Sequence, residues 1–250
     1  MTHMEDKFRQ AAGIIKKSKN TIALTGAGVS VESGIPDFRS AGGLWDKYDP
    51  SEYAHIDAFR RHPEKIWNMI FDLRDLTTNA RPNPAHIAMA KMEEMNLLTA
   101  VITQNIDNLH QAAGSRNVIE FHGNASRLEC IHCGASFGAD EYEVVPGVPP
   151  RCRACKEILK PSVIFFGEAI PVGALAESER LANIAGAILV VGTSAVVYPA
   201  SSIPYIVKSR GAPVIEMNTE TTGLTGSITD VFIQGPAGEI LPRLLDHLKA

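Results

Sequence analysis

The sequence predicts an α/β protein with a parallel sheet covered by helices on both faces. Short apolar segments recur along the chain, as expected of buried strands, at residues 21–25, 98–103, 118–121, 187–191 and 213–217. Segments with helical periodicity separate most of them, among them residues 5–18, 84–95 and 177–184. Strands that are apolar throughout, rather than alternately apolar and polar, are typical of parallel sheets buried on both sides.

Two segments interrupt this alternation of strands and helices. Residues 41–78 are rich in aromatic side chains, which predicts a helical insertion. Residues 126–157 contain all four cysteines, a stretch rich in proline and glycine, and few apolar residues for a core of their own. The remaining residues, 1–40, 79–125 and 158–250, form the sheet domain, and a chain of this length can bury a substantial core.

The cysteines lie in two closely spaced pairs, Cys130 with Cys133 and Cys152 with Cys155, and 18 residues separate the pairs. This spacing is typical of a tetrahedral zinc site with four thiolate ligands. Two disulfides, or one redox-active pair beside two unrelated cysteines, are the alternatives; a reducing cytoplasm and the double pairing favour zinc. Four thiolates leave no open position for water, so we expect one structural zinc ion that holds residues 126–157 together.

Composition and charge exclude several classes of function. The 250 residues are 45% apolar and 21% charged, which is ordinary for a soluble globular protein. A net charge of −4 and a pI of about 6.1 give no general affinity for nucleic acid or anionic lipid, although a basic peptide remains an acceptable ligand. The N-terminal residues lack the apolar segment of a secretory signal, and no apolar run approaches the roughly 20 residues that cross a bilayer. We therefore expect a cytoplasmic protein that binds neither nucleic acid nor membranes directly.

Glycine and polar residues follow the predicted strands at their carboxyl ends. They are Gly26, Ala27 and Gly28 after the first strand, Gln104 and Asn105 after the second, Gly192, Thr193 and Ser194 after the fourth, and Asn218 after the fifth. Ligands of open α/β sheets bind at the carboxyl ends of the strands. We therefore expect these residues to line one crevice, as in Rossmann-like domains.

The turn at residues 26–28 allows the backbone to approach a pyrophosphate closely. The full dinucleotide fingerprint would require a further glycine at Val31, and the next glycine is Gly34, so a tight turn without a ligand is the alternative. The segment that follows places Phe38 and Arg39 on a loop close to the turn, where they can cover a cofactor and exclude water.

His122 is the candidate for acid–base chemistry. It follows the third strand and precedes Gly123, which leaves space beside the imidazole ring. A lone histidine is more often a structural residue, and Gln104, Asn105 and Asp107 can equally be caps of the helix that follows them. Its position at the carboxyl end of the sheet is what favours a catalytic role for His122.

Several motifs, taken together and in this order, resemble the sirtuin family of NAD-dependent protein lysine deacylases. They are residues 26–30 and 34–39, residues 103–110, His122 with Gly123, the four cysteines, residues 165–168 and residues 192–194. The resemblance runs from about residue 10 to residue 245, and the short termini are similar to those of compact bacterial or archaeal members. It implies NAD as a co-substrate, an acyl-lysine protein or peptide as the second substrate, and a structural zinc ion.

The resemblance further implies a deacetylase that transfers the acyl group to ADP-ribose. The products are nicotinamide, O-acetyl-ADP-ribose and the deacetylated lysine. His122 is the implied general base, and a neutral imidazole with its unperturbed pKa of about 6.5 suits removal of a proton from a ribose hydroxyl at cellular pH.

The resemblance assigns residues to each part of the site. The implied catalytic residues are His122 and Asn105. The implied NAD contacts are Gly26, Ala27, Gly28, Val31, Asp37, Phe38, Arg39, Gln104, Asn105, Ile106, Asp107, His122, Gly192, Thr193, Ser194, Asn218, Thr219 and Ala237. The substrate peptide adds a strand between a strand at residues 163–168 and residues 195–198. The implied peptide contacts are Val163, Phe165, Phe166, Gly167, Glu168, Val196, Val197 and Tyr198.

The expected acyl preference follows from two positions of the helical insertion. Sirtuins that prefer succinyl or malonyl groups carry a Tyr-x-x-Arg pair there, and the matching positions in this chain are Ile70 and Leu73. Phe71 and Arg74 have the right separation but are displaced by one residue, which on a helix is a rotation of about 100° that turns them elsewhere. We therefore expect deacetylation over desuccinylation, with longer hydrocarbon chains tolerated.

Three other functions are alternatives. A mono-ADP-ribosyltransferase would share the NAD residues and differ only in its product. A zinc-stabilised module that senses NAD or ADP-ribose without chemistry would have no need of a base such as His122. For a hydride-transferring dehydrogenase, the phosphate fingerprint is wrong.

Overall fold

The centre of the protein is a six-stranded sheet in which all neighbouring strands are parallel. The computed structural model describes residues 2–250, except for the side chains of residues 2, 3 and 75; residue 1 of the predicted segment 1–40 lies outside the described residues. The strands are β1 (Thr21–Thr25), β2 (Ala100–Thr103), β3 (Val118–Glu120), β4 (Gly123–Cys130), β5 (Ser136–Gly138), β6 (Leu159–Val163), β7 (Ala187–Val191), β8 (Val214–Asn218) and β9 (Val231–Gln234). The helices are α1 (Thr2–Lys17), α2 (Leu44–Lys47), α3 (Pro50–Tyr53), α4 (Ile56–Arg61), α5 (Pro63–Asn79), α6 (Pro84–Glu94), α7 (Leu109–Ala112), α8 (Val172–Ile184), α9 (Ile203–Ser209) and α10 (Ala237–Lys249).

The strand order β3-β2-β1-β7-β8-β9 is the doubly wound order of a Rossmann-like sheet, so the predicted fold class is confirmed. β1 pairs with β2 on one side and with β7 on the other, and the order of the strands reverses at this point. Such a switch point opens a crevice at the carboxyl ends of the two strands. The sequence does not predict β9, because only Val231 and Ile233 of this short edge strand are buried.

Helices cover both faces of the sheet. α1, α6 and α10 pack on one face, and α8 and α9 pack on the other. Asn83 begins α6: its side-chain oxygen accepts a hydrogen bond from the amide of Ala85 at 2.9 Å, and Nδ1 of His86 accepts one from the amide of Asn83 at 3.3 Å. α8 begins at Val172, earlier than the predicted residue 177. No helix among the described residues is long and apolar enough to cross a membrane.

The smaller unit consists of α2–α5 and a three-stranded antiparallel sheet of order β5-β4-β6. One apolar cluster joins its two parts, in which Phe59 and Trp67 of the helices pack with Leu128 and Leu159 of the sheet. Nε1 of Trp67 also donates a hydrogen bond to the carbonyl oxygen of Leu159 at 3.1 Å. The cysteine segment therefore has more core than its own sequence indicates, because the helical insertion supplies the other half. β4 begins before residue 126 and β6 lies wholly after residue 157, and the division of the chain into three units stays a prediction.

The strand predicted at residues 163–168 is wrong beyond its first residue. Val163 ends β6, and the chain then leaves the small sheet and crosses to the helical insertion. There the amide of Phe166 donates to the carbonyl oxygen of Ala54 at 2.8 Å, and the amide of Ile56 donates to the carbonyl oxygen of Phe166 at 3.0 Å. The residues after Val163 therefore form an extended connection with one isolated bridge rather than a strand of the small sheet.

Candidate active site

A large cavity of about 1850 Å³ opens at the carboxyl ends of β1, β2, β7 and β8. Every residue that the sequence predicts to contact NAD lines it, as do most of the predicted peptide contacts. Pockets for molecules of drug size have volumes of about 300–1,000 Å³, so this cavity has room for a dinucleotide and part of a second substrate. It extends from the crevice of the large sheet to the gap between α5 and the small sheet.

The turn after β1 and the turn after β7 touch through their backbones. The amide of Gly28 donates a hydrogen bond to the carbonyl oxygen of Gly192 at 2.9 Å. A Cβ atom on Gly28 would lie 2.8 Å from that oxygen, and a Cβ atom on Gly192 would lie 2.5 Å from the amide nitrogen of Val29. Both positions therefore require glycine, and Gly192 also has a φ of +58°. Bare backbone at the switch point of a parallel sheet is suited to binding a pyrophosphate.

The absent third glycine of the dinucleotide fingerprint has a structural reason. In that fingerprint, the third glycine lets a helix pack closely on the first strand. Here the chain after β1 forms two short 3₁₀ turns, Ala27–Val29 and Val31–Ser33, instead of a long helix. Val31 is 44% exposed and lines the cavity, so this position accommodates a side chain.

Thr193 connects the ends of three strands. Its hydroxyl oxygen accepts a hydrogen bond from Nε2 of Gln104 at 2.9 Å, and its carbonyl oxygen accepts one from Nδ2 of Asn218 at 3.1 Å. Because Gln104 follows β2, Thr193 follows β7 and Asn218 ends β8, these bonds hold the three strand ends together across the crevice. Other predicted NAD contacts that line the same cavity are Ser194, Thr219 and Ala237.

His122 lies half-buried in the cavity between β3 and β4. Its Nδ1 is 3.2 Å from the carbonyl oxygen of Gln104; because a carbonyl oxygen only accepts, Nδ1 carries the proton and Nε2 keeps a free lone pair. Burial lowers the pKa of His122, and the hydrogen bond to Gln104 opposes this shift in part. The ring is therefore neutral at physiological pH, and Nε2 can accept a proton.

Asn105 and Asp107 share the hydroxyl group of Ser30. Nδ2 of Asn105 donates to Oγ of Ser30 at 3.0 Å, and this hydroxyl donates to Oδ2 of Asp107 at 2.7 Å. Oδ1 of Asp107 accepts from the amide of Leu109 at 2.9 Å at the start of α7, so Asp107 also caps that helix. Asp107 can therefore cap the helix and hold Ser30 at the same time, because each contact uses a different carboxylate oxygen.

Two buried histidines that the sequence indicates only as structural residues lie next to this cluster. Nε2 of His86 is 3.4 Å from Oγ of Ser30, Nε2 of His110 is 3.0 Å from Oγ1 of Thr25, and the two rings are 4.8 Å apart. Burial lowers the pKa of His86 to about 4 against the attraction of Asp107, and burial together with His86 lowers the pKa of His110 to about 3. Both rings are neutral. Neither lines the cavity, and their contacts with Ser30 and Thr25 have no sequence signal because both lie on helices, apart from the strand ends that indicate the crevice.

The loop after the glycine turn is folded against itself. The carboxylate of Asp37 accepts hydrogen bonds from the amides of Arg39 and Ser40 at 2.9 and 2.7 Å. Burial pushes the pKa of Asp37 up, but the hydrogen bonds from Ser40 and Arg39 outweigh it, so the pKa lies below its usual value. The rings of Phe38 and Trp45 lie 4.9 Å apart. Phe38, Arg39 and Trp45 all line the cavity, so the loop is positioned to cover a bound ligand.

The predicted peptide contacts line the cavity with one exception. Val196 is 62% exposed and is not part of the lining. The backbone of Phe165 is bonded to Glu168 through both its amide and its carbonyl group, and the backbone of Phe166 is bonded to the insertion. These backbone groups are already occupied, so an added substrate strand would pair with the remaining backbone groups of this segment. Gly167 has no backbone hydrogen bond to any described residue.

The insertion contributes a largely apolar wall that also carries a guanidinium group. The apolar residues of α5 that line the cavity are Trp67, Met69, Ile70, Leu73 and Leu76. Phe71 is not part of the lining, whereas Arg74 is, so the expectation that Arg74 turns away from the site is wrong. The guanidinium carbon of Arg74 lies 4.9 Å from the centre of the Phe71 ring, and a long side chain of this kind can reach back to the cavity from a neighbouring helix position.

The four cysteines meet at one point of the small unit. Their Sγ atoms all lie within 4.8 Å of one another, with 3.5 Å between Cys130 and Cys155 and 3.7 Å between Cys133 and Cys152. A tetrahedral zinc ion with Zn–S bonds of about 2.3 Å places its sulfur ligands about 3.8 Å apart, so this donor set fits zinc. None of the four cysteines lines the cavity, which agrees with a structural ion.

These features define a Rossmann-like protein with a dinucleotide-type crevice and a thiolate metal centre in a small inserted unit. The model of the Sir2 family matches residues 26–199, and the chain belongs to this family, the sirtuins. It is 47% identical over 238 residues to NAD-dependent protein deacylase 2 of Pyrobaculum aerophilum, with 95% of this chain and 94% of that protein covered. It is 46% identical over 244 residues to the NAD-dependent protein deacylase of Pyrococcus abyssi, with 96% and 97% covered.

Solved structures of the family superpose closely on this fold. A mutant Sir2 homologue in complex with ADP-ribose has a TM-score of 0.93 at 44% identity, over 96% of each chain. A Sir2 protein with a deacetylated p53 peptide and 3′-O-acetyl ADP-ribose has a TM-score of 0.89 at 35% identity, over 96% of this chain and 97% of that one. Sir2Af2 bound to a myristoylated histone peptide has a TM-score of 0.82 at 41% identity, over 98% and 97%.

Proposed function

We propose that the protein is an NAD-dependent protein lysine deacylase. With one molecule of water, it transfers the acyl group of an acyl-lysine to ADP-ribose and releases nicotinamide and free lysine. His122 carries the proposal, because its free Nε2 lies in the same cavity as the glycine turns at Gly28 and Gly192. Relatives at 46–47% identity are NAD-dependent protein deacylases by name, and related structures hold ADP-ribose and an acetylated ADP-ribose, which supports the same activity here.

Each part of the site has a separate task in this reaction. When bound, NAD would supply a glycosidic bond in which the sugar carbon is the electrophile and the cationic nicotinamide is a good leaving group. Asn105 and Asp107 are fixed through Ser30, and the amide oxygen of Asn105 and the remaining lone pairs of the Asp107 carboxylate bind the amide and sugar groups around that bond. Phe38 on its folded loop excludes water from it. His122 takes up a proton at Nε2 from a sugar hydroxyl, while the carbonyl oxygen of Gln104 holds Nδ1 and stabilises the charge that develops on the ring.

The products of the reaction test this proposal. The protein is incubated with NAD and an acetyl-lysine peptide, and the mixture is analysed by mass spectrometry. We expect equal amounts of nicotinamide, deacetylated peptide and O-acetyl-ADP-ribose. ADP-ribose that remains attached to protein would instead identify a mono-ADP-ribosyltransferase, and NAD binding without turnover would identify a sensor.

Acetyl-lysine and lysines with longer hydrocarbon acyl groups are the proposed substrates. Ile70 and Leu73 line the wall of the cavity that α5 forms, and an acyl group that ends in a carboxylate would lose its hydration against these apolar side chains. Arg74 opposes this preference, because it is a cation on the same wall. We expect kcat/KM for an acetyl-lysine peptide to exceed that for the succinyl peptide. A succinyl preference that Arg74→Ala abolishes would contradict the proposed substrate class.

We also propose that the substrate is a protein or peptide with an acyl-lysine and that the enzyme is located in the cytoplasm. Four thiolates that hold zinc require a reducing compartment or a permanently bound metal. The net charge of −4 supports a protein that binds acyl-lysine peptides and neither nucleic acid nor membranes directly. Fractionation of cells that produce the protein tests this, and recovery in the membrane fraction or with nucleic acid would contradict it.

A further inference from the structure

Lys160 is a buried cation outside the machinery described so far. Only 4% of its side chain is exposed, and a buried ammonium group is costly unless it is paired. Its Nζ donates to the carbonyl oxygens of Pro161 and Val163 at 3.3 and 2.9 Å and lies 3.2 Å from Oε2 of Glu168. Two hydrogen bonds to carbonyl oxygens and one ion pair therefore compensate the buried charge.

Glu168 is held as firmly as Lys160. Its Oε2 also accepts a hydrogen bond from the amide of Phe165 at 2.9 Å, and its own amide donates to the carbonyl oxygen of Phe165 at 3.0 Å. The Phe165 ring lies beside the ammonium group, with 5.5 Å between Nζ and the ring centre, in the range of a cation–π interaction. Because 20% of the Glu168 side chain is exposed, solvent screens this pair only in part.

The pair closes a loop in the chain around residues 163–168. Lys160 lies in β6, before this segment, and Glu168 ends the segment. Between them the chain has two further anchors: the amide of Ile164 donates to the carbonyl oxygen of His122 at 2.9 Å, and Phe166 is bonded to the insertion. Phe166 anchors one side of the turn at Gly167, and the Lys160–Glu168 pair holds the other side, where Oε2 of Glu168 accepts from the amide of Phe165.

We propose that Lys160 and Glu168 form a positioning pair for the acyl-peptide substrate. The pair fixes the turn at Gly167, whose backbone groups have no hydrogen bond to any described residue, so that they face the cavity ready to bond a peptide. This inference rests on the proposed function of the cavity. The partners of Lys160, apart from Glu168, are Pro161, Val163 and Phe165, none of which is a predicted NAD contact. The pair therefore affects the peptide substrate and leaves NAD binding intact.

Single substitutions test the pair. Glu168→Gln keeps an acceptor for the amide of Phe165 and removes the charge, and Lys160→Met removes the donor to Val163. We expect each variant to raise KM for an acetyl-lysine peptide roughly ten- to a hundredfold, because small displacements of a substrate-binding segment have effects of this size. The Kd for NAD, measured by calorimetry, stays at the wild-type value, and kcat at saturating peptide falls much less than kcat/KM.

The double variant Lys160→Met/Glu168→Gln separates positioning from stability. The double variant removes both charges, so its unfolding temperature should recover relative to the single variants. No donor then reaches the carbonyl oxygen of Val163, so the peptide KM should stay raised. Lys208→Met is the matched control, because Nζ of Lys208 pairs with Asp230 at 2.6 Å away from the cavity. This control lowers stability without changing the peptide KM.

Two results would overturn the inference. One is a single variant that folds and has the wild-type peptide KM, and the other is a double variant that recovers both its unfolding temperature and its peptide KM. Wild-type protein is measured first: if it shows no NAD-dependent deacylation at all, the proposed function fails instead, and the two failures are distinguishable.

Discussion

Nδ1 of His122 lies 3.2 Å from the carbonyl oxygen of Gln104, and this contact determines the state of the whole imidazole ring. It places the proton on Nδ1 and leaves Nε2 as the base. The side chain of Gln104 bonds to Thr193 at the same time, so one residue connects the candidate base with the turn after β7. Because the contact uses a backbone oxygen, a substitution of the Gln104 side chain does not remove it.

Replacement of His122 by alanine removes the base and leaves the glycine turns in place. We expect turnover of NAD and an acetyl-lysine peptide to fall by at least about a hundredfold, since a positioned general base contributes about 10²–10⁴ in rate. The Kd for NAD should change by no more than a few fold. Steady-state kinetics and calorimetric titration measure the two quantities. His62→Ala, an exposed histidine of the insertion, is the control. Substantial activity in His122→Ala would show that another group is the base.

Gly192 should tolerate no side chain. The Cβ of Gly192→Ala would lie 2.5 Å from the amide nitrogen of Val29, and alanine disfavours a φ of +58°. We expect the variant to lose roughly 1–3 kcal/mol of stability and to bind NAD more weakly, because the two turns must separate. Urea unfolding and NAD titration measure both effects.

Gly13→Ala is the matched control for this substitution. Gly13 lies inside α1 with no atom near the position of a Cβ, so alanine should raise stability by up to about 1 kcal/mol through its higher helix propensity. Equal stability effects in the two variants would mean that the contact between the turns does not require bare backbone.

Much of the fold can be predicted from the sequence, because strands that are buried at every position appear as continuous apolar segments. β1 and β7 are buried at all five of their residues, and the sequence alone places both. β9 is missed because a short edge strand is buried on one side only. The residues 163–168 look like a strand in sequence, yet the groups that hold them are far apart in the chain, on the insertion and on Lys160.

Residues of the site that follow strands can be predicted from the sequence, whereas contacts made by residues elsewhere cannot. Gly28, His122 and Thr193 stand at strand ends, and the topology of a parallel sheet brings such positions together. His86 and His110 contact Ser30 and Thr25, and only the packing of α6 and α7 brings these groups close. No sequence spacing encodes a contact of that kind.

The buried histidines should make stability depend on pH. The pKa values of His86 and His110 are about 4 and about 3 in the folded protein, against about 6.5 in an unfolded chain. As the pH falls from about 6.5 towards 4, the unfolded chain binds protons that the folded protein does not. The free energy of unfolding should therefore fall with pH, by up to about 1.4 kcal/mol per pH unit for each histidine.

Urea unfolding from about pH 7 to about pH 4.5 measures this dependence. His110→Gln serves as the comparison, because it removes one of the two groups and should flatten the slope by up to the share of a single histidine. Carboxylates contribute equally to both proteins and cancel in the difference. Parallel loss of stability in the two proteins would mean that His110 is protonated in the folded state as easily as in water.

Loss of the metal should unfold the small unit and with it the wall of the cavity that α5 forms. Cys133→Ser removes one thiolate, and a structural zinc site supplies about 10 kcal/mol or more of binding free energy, which is comparable to the whole stability of a domain, about 5–15 kcal/mol. Trp67, Leu128 and Leu159 share one core, so α5 should loosen together with the small sheet. We expect the variant to lose zinc, the near-ultraviolet signal of Trp67 and deacylation. NAD binding at the large sheet should weaken less, because the glycine turns belong to the other unit.

His132→Ala, next to Cys133, is the control and should keep its zinc and its activity. A Cys133→Ser protein without zinc that remains fully active would mean that the shared apolar core holds the small unit without the ion.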